Sequence, residues 1–132
     1  MKNLSIKKII NAPISIGELV DKITILEIKK NKLNHSKLGN VLKELSFLRE
    51  LMGKHKIEIT EDLFTQLKEV NLILWNIEDQ IRIKEKNKEF DNIFIELARS
   101  VYFTNDKRSE IKKRINRLSN SEITEEKSYS EY

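Results

Sequence analysis

Between Leu63 and Ile81 the apolar residues fall at Leu63, Leu67, Val70, Leu74, Ile77 and Ile81. Steps that alternate four and three keep all six side chains on one stripe of an α-helix. A stripe of that length has to be hidden against other elements. The chain has only three glycines and one proline, little material for the tight turns of a many-stranded sheet. The remaining elements are therefore expected to be helices as well, packed as an antiparallel bundle.

The other segments support this. Residues 1–13 read as a lead-in. In it Leu4, Ile6, Ile9 and Ile10 suit a short strand or a turn of helix laid on the core, and Pro13 blocks any helix entering from the left. Ser15-Ile16-Gly17-Glu18 reads as a capping box, with Ile14 and Leu19 at the positions of a hydrophobic staple. The first helix follows on Ile16, Leu19, Ile23, Leu26 and Leu33, widened by Val20 and Ile25. Ser36 is placed to cap a second helix on Leu38, Val41, Leu42, Leu45, Leu48 and Met52, with Gly53 as its C-terminal glycine. Thr60 caps the long central helix, and Glu61 and Asp62 suit its dipole. Phe90, Ile93, Phe94, Leu97, Val101 and Tyr102 define a fourth helix. Asn105 reads as the cap of a fifth, carried by Ile111, Ile115 and Leu118. Residues 119–132 read as a polar tail that drapes on the surface or is partly disordered, although Tyr129 and Tyr132 can anchor it. The expectation is one all-α domain over residues 1–132, with about five helices. A central helix over residues 61–86 would be about 39 Å long, which points to a homodimer in which long helices pair.

Composition narrows the function classes. There is no cysteine, which excludes disulfides and thiolate metal sites. No apolar run approaches the ~18 residues of a membrane span. The N-terminus has scattered lysines and no apolar h-region, so a cytoplasmic protein without a signal peptide is expected. The formal charge is +4, but 25 basic residues are interleaved with 21 acidic ones, so nucleic acid is not the expected partner. No phosphate-loop, dinucleotide or nucleophile-elbow motif occurs, and no cofactor is implied.

Two clusters are candidate ligand sites. Trp75 lies just off the central stripe, with Asn71, Glu78, Asp79 and Arg82 beside it on the helix surface. This can be a shallow pocket with an aromatic wall. It can equally be an i,i+4 pair of Glu78 with Arg82 next to a core-edge tryptophan. The second cluster is Arg99, Tyr102, Asn105, Asp106 and Arg108, where an expected helix start and two arginines suit a phosphate or carboxylate. Its plainer reading is a capped helix with surface arginines. Glu18 and Asp21 have one-turn spacing, but metal-dependent all-α pyrophosphohydrolases use several such pairs, so no metal is expected. His35 and His55 stand in turns without ligand-spaced partners. Lys112, Lys113, Arg114 and Arg117 read as a solvated basic ridge.

Several strings together resemble a known family: SIGELVDKITILEIK at 15–29, LWNIEDQIR at 74–82, FDNIFIELARSVYFTNDKRSEIKKRIN at 90–116 and EEKSY at 125–129. The family is an uncharacterised all-helical group of small bacterial and phage-borne proteins, a domain of unknown function. Some of its members lie near glycosyltransferase and surface-polysaccharide genes. The resemblance implies no established activity, but it draws attention to Asp21, Glu27, Asp91 and, within the two clusters, Trp75, Glu78, Asp79, Arg82, Arg99, Tyr102, Asn105, Asp106 and Arg108. A fainter resemblance to all-helical chorismate mutases lacks that enzyme's first-helix arginines. The function expected is a non-enzymatic accessory or interaction protein, with a tie to surface-glycan assembly implied by resemblance. The alternative is a small enzyme or binding module for an anionic metabolite, using Trp75, Glu78, Asp79, Arg82, Arg99, Tyr102, Asn105, Asp106 and Arg108.

Overall fold

A computed structural model describes residues 6–132. Among the described residues the chain is all-helical, with no strand. Four helices follow in order: α1 (Ile16–Lys32), α2 (His35–Lys54), α3 (Glu61–Lys86) and α4 (Asn92–Leu118). The expected count of about five is corrected to four. The expected fourth and fifth helices are one rod, and Asn105 lies inside it rather than capping a helix. The reason is geometric. Leu97, Val101, Thr104, Arg108, Ile111 and Ile115 keep the four-three alternation across the supposed break. No glycine or proline interrupts them, and an interior asparagine costs under ~1 kcal/mol.

Three helix starts are capped as physical chemistry prescribes. Ser15 accepts from the Glu18 amide at 3.0 Å, Thr60 from Leu63 at 3.3 Å and Asp91 from Phe94 at 3.0 Å. The second half of the expected capping box is not how Glu18 is used, since its carboxylate is engaged by Lys112 at 2.7 Å. For α2 the cap position is Asn34, without a side-chain bond, and Ser36 falls inside the helix. Gly53 does not end α2 either. Lys56 takes the left-handed conformation (φ 53°), as Lys88 (57°) and Asn120 (58°) do after α3 and α4. Each closes its helix with a back-bond from the next amide: Ile57 to Met52 and Glu89 to Lys84 at 3.0 Å, Ser121 to Asn116 at 2.9 Å. Of the lead-in, Leu4 lies outside the described residues. Ile6, Ile9 and Ile10 form neither strand nor helix and are exposed rather than packed on the core.

The hub is α1, not α3. It packs against all three other helices, whereas the backbone of α2 comes close to α1 alone. One face of α1 puts Leu19, Ile23 and Leu26 against Val41 and Leu45 of α2. The other puts Val20 against Leu63, Leu67 and Val70 of α3 and Ile111 and Ile115 of α4. Met52 and Phe64 pack against both clusters and join them. Every residue of the central stripe is inside or half-buried.

Gly17 is where α1 meets α4. Its amide donates to Asn116 Oδ1 at 2.6 Å, and a Cβ built there would lie 2.6 Å from the Lys112 carbonyl oxygen and 2.8 Å from Asn116 Oδ1. The glycine is needed because the α4 backbone occupies the space of a side chain. Gly17→Ala is expected to destabilise the fold by about 1–3 kcal/mol, read as a lower urea midpoint. Gly39→Ala, where a Cβ meets nothing within 4 Å, is expected to be neutral or stabilising.

Candidate functional site

Asp21 sits on the α1 face that meets α3 and α4, and it is fully buried. A carboxylate there needs partners on every side. Arg108 of α4 provides a fork, with Nε donating to Oδ1 at 2.9 Å and Nη2 donating to Oδ2. Asn71 of α3 donates through Nδ2 to Asp21 Oδ1 at 2.9 Å and to Thr24 Oγ1 at 2.8 Å. Thr24 donates to the Asp21 carbonyl oxygen at 2.7 Å. Lys112 Nζ stands 4.0 Å from Oδ2. The carboxylate thus ties three helices together at one point.

Outward from it the network continues. Lys112 donates to Glu18 at 2.7 Å and to Glu125 of the tail at 3.4 Å, and Ser15 Oγ donates to Glu125 at 3.4 Å. The Asp21 hydrogen bond raises the Arg108 pKa above its already high ordinary value, against the opposing effect of burial. Burial pushes the Lys112 ammonium down, but Glu18 and Asp21 outweigh it and hold it above the ordinary lysine range. Burial likewise pushes the Glu125 carboxyl up, but Lys112 outweighs it and holds the group below the ordinary glutamate range.

The two clusters singled out in the sequence come together only in part. Asn71, Trp75, Glu78, Asp79 and Arg82 do share one wall of a shallow depression of about 430 Å³, and Arg108 of the second cluster completes it. Glu78 and Arg82 form the i,i+4 pair at 3.5 Å, both side chains largely in solvent. The rest of the second cluster lies elsewhere. Arg99 pairs with Glu96 at 3.1 Å, its guanidinium 5.8 Å from the Phe103 ring centroid. Tyr102 stacks with Phe103 and with Tyr132 of the tail. Asp106 accepts from the Tyr132 hydroxyl and pairs with Lys127 at 3.8 Å. Asn105 lines a small cavity of about 90 Å³ together with Glu125 and Glu126. Tyr132, itself largely exposed, thus ties the tail to α4 through its ring and hydroxyl, while Tyr129 is exposed as well. Glu27 serves the α1–α2 contact, accepting from Arg49 at 2.5 Å.

Lys112 is the main residue misplaced from sequence. It is half-buried in the network, not part of a solvated ridge, whereas Lys113, Arg114 and Arg117 are exposed. The roles of Thr24, Asn116 and Glu125 are also new. The available signal was Asp21 itself, a carboxylate between Val20 and Ile23 on a face that has to be buried. Among the described residues no three His, Cys, Asp or Glu side chains cluster as a metal would need, and no helix is long and apolar enough to cross a membrane.

The class defined so far is an all-helical protein built round a buried ionic tie. Residues 10–132 match the model of a family of unknown function, DUF6165, and the chain belongs to that family. No curated protein and no solved structure matches it.

Removing Arg108 strands a buried carboxylate. Arg108→Ala is expected to cost about 2–4 kcal/mol, discounted because the guanidinium is partly wet. The double variant Asp21→Leu/Arg108→Met is expected to cost less than that single change in urea unfolding. The tail contact titrates in acid. Because the folded Glu125 pKa is depressed, the contact is complete above the ordinary glutamate value of ~4.3 and is lost as pH falls through the lower folded value. Nuclear Overhauser contacts of Glu125 with Ser15 and Lys112 are expected to persist at near-neutral pH and to vanish only in that acid range.

Proposed function

We propose that this is a non-enzymatic interaction protein that self-associates through the outer half of its α3–α4 hairpin. The observation that carries this reading is a stretch of 26 residues, 78–103, none of which is buried. At 26 and 27 residues, α3 and α4 outrun the 17-residue α1, so their far ends form a single layer with nothing packed over it among the described residues. Ile83, Phe90, Ile93 and Ile95 are at least half exposed there. Leu72 and Ile83, about three turns apart, share the α3 face turned away from the core. Hydrophobic side chains in one layer gain most from a second layer, and a second hairpin of the same kind makes a four-helix bundle. The segment carries six acidic and five basic residues, so two copies have pairs to make and little repulsion.

The charged clusters support the interaction reading over metabolite binding. Glu78 with Arg82 and Arg99 with Glu96 are paired, Asp106 is taken by the tail, and Arg108 is committed to Asp21. A role beside surface-glycan assembly draws only on the family resemblance of the sequence.

Light scattering on the whole chain is expected to give twice its 15.6 kDa mass. Ile83→Asp/Ile93→Asp is expected to halve that mass without loss of helical circular dichroism, since neither side chain is in the core. A wild-type chain of single mass at micromolar concentration defeats the reading.

A further inference from the structure

We propose that the N-terminal arm and the groove beside it dock on an anionic lipid bilayer. The arm, residues 6–14, is neither helix nor strand, and Ile6, Ile9 and Ile10 are 65%, 67% and 88% exposed. Among the described residues, isoleucines this open, next to Lys7 and Lys8, have no partner that explains them.

A second observation adjoins the first. A groove of about 1240 Å³ runs between the arm, the start of α1, the last turns of α2 and the connection into α3. Ile14, Leu19, Phe47, Leu48, Leu51 and Ile57 give it an apolar lining, and Lys22, Lys54 and Lys56 stand around it with Glu44 and Glu58. Lys22 is paired with Glu18 at 3.9 Å, so with Lys7 and Lys8 the surface holds five lysines against three glutamates and keeps a net positive charge.

This combination selects the occupant. Exposed apolar side chains insert at the boundary of headgroups and acyl chains, while flanking lysines are drawn to an anionic leaflet. A second copy of the chain is disfavoured, because it would bring the same positive charge to the contact. The contact needs no membrane-spanning helix.

The test is co-sedimentation of the whole chain with vesicles of phosphatidylglycerol mixed into phosphatidylcholine, beside vesicles of phosphatidylcholine alone. Binding is expected to the anionic vesicles and to weaken as salt rises. Ile9→Ser/Ile10→Ser and Lys7→Glu/Lys8→Glu are each expected to weaken it by about tenfold or more. Both leave the core untouched, and unchanged circular dichroism verifies that. Absence of binding to the anionic vesicles overturns the proposal, and so does binding by both variants as tight as that of the unaltered chain. Capture of dispersed lipid monomers without vesicle binding would make the groove a carrier site instead. Loss of self-association in Ile9→Ser/Ile10→Ser without any vesicle binding would assign the surface to a second copy.

Discussion

One buried carboxylate determines how this molecule is assembled. Taking Asp21 out of water costs several kcal/mol, and the fold meets that cost with a guanidinium, an amide and a nearby ammonium drawn from two other helices. Such a tie is poor evidence for stability, since well-packed apolar residues often do as well or better. Its effect is on register. Arg108 can reach Asp21, Lys112 can reach Glu18, and Asn116 can reach the Gly17 amide in only one alignment of α4 on α1. A slide by one turn, about 5.4 Å, would strand all three. Purely apolar stripes such as those of α3 tolerate that slide far better, so the polar contacts specify what the apolar ones stabilise.

The same arrangement explains the uneven burial. Because α1 is the hub and is short, the core ends where α1 ends. The two long helices run on past it, and α2 covers only the opposite face of α1. Burial on folding scales with what lies opposite. Residues 63–77 of α3 therefore contain all its buried positions, and residues 104–116 contain those of α4. The far half of the hairpin is helical through its own hydrogen bonds, its Asp91 cap and the pairing of Lys84 with Glu89 and Asp91 at 2.9 Å.

Much of this was legible in the sequence where one force dominated. The α3 stripe and the caps at Ser15 and Thr60 depend on local spacing, and they stand where that spacing puts them. The continuity of α4 was hidden because Thr104 and Arg108 occupy stripe positions with polar side chains, so an apolar pattern looked broken and Asn105 looked like a cap. Helix ends misled for a similar reason: lysines at residues 56 and 88 and an asparagine at 120 hold the left-handed position that glycine usually marks. The Trp75 neighbourhood was visible because it lies on one helix. The reach of Arg108 to Asp21, across 87 residues, was not, because only tertiary packing brings them together.

As proposed, the two apolar exposures would not compete for one partner. The arm and groove lie by the connection that leads into α3 and by Ser119 at the end of α4. The hairpin tip lies at the other end of those same helices, about 39 Å away along a 26-residue rod. Between them stands the rigid ionic tie. Engagement at the tip leaves the lysine-rich end free to turn toward a surface, and pairing of two copies would present that surface twice. Two weak contacts held on one frame bind far more tightly than either alone when both can engage at once. On the two proposals above, the molecule would act by holding its partners at the two ends of a stiff helical rod.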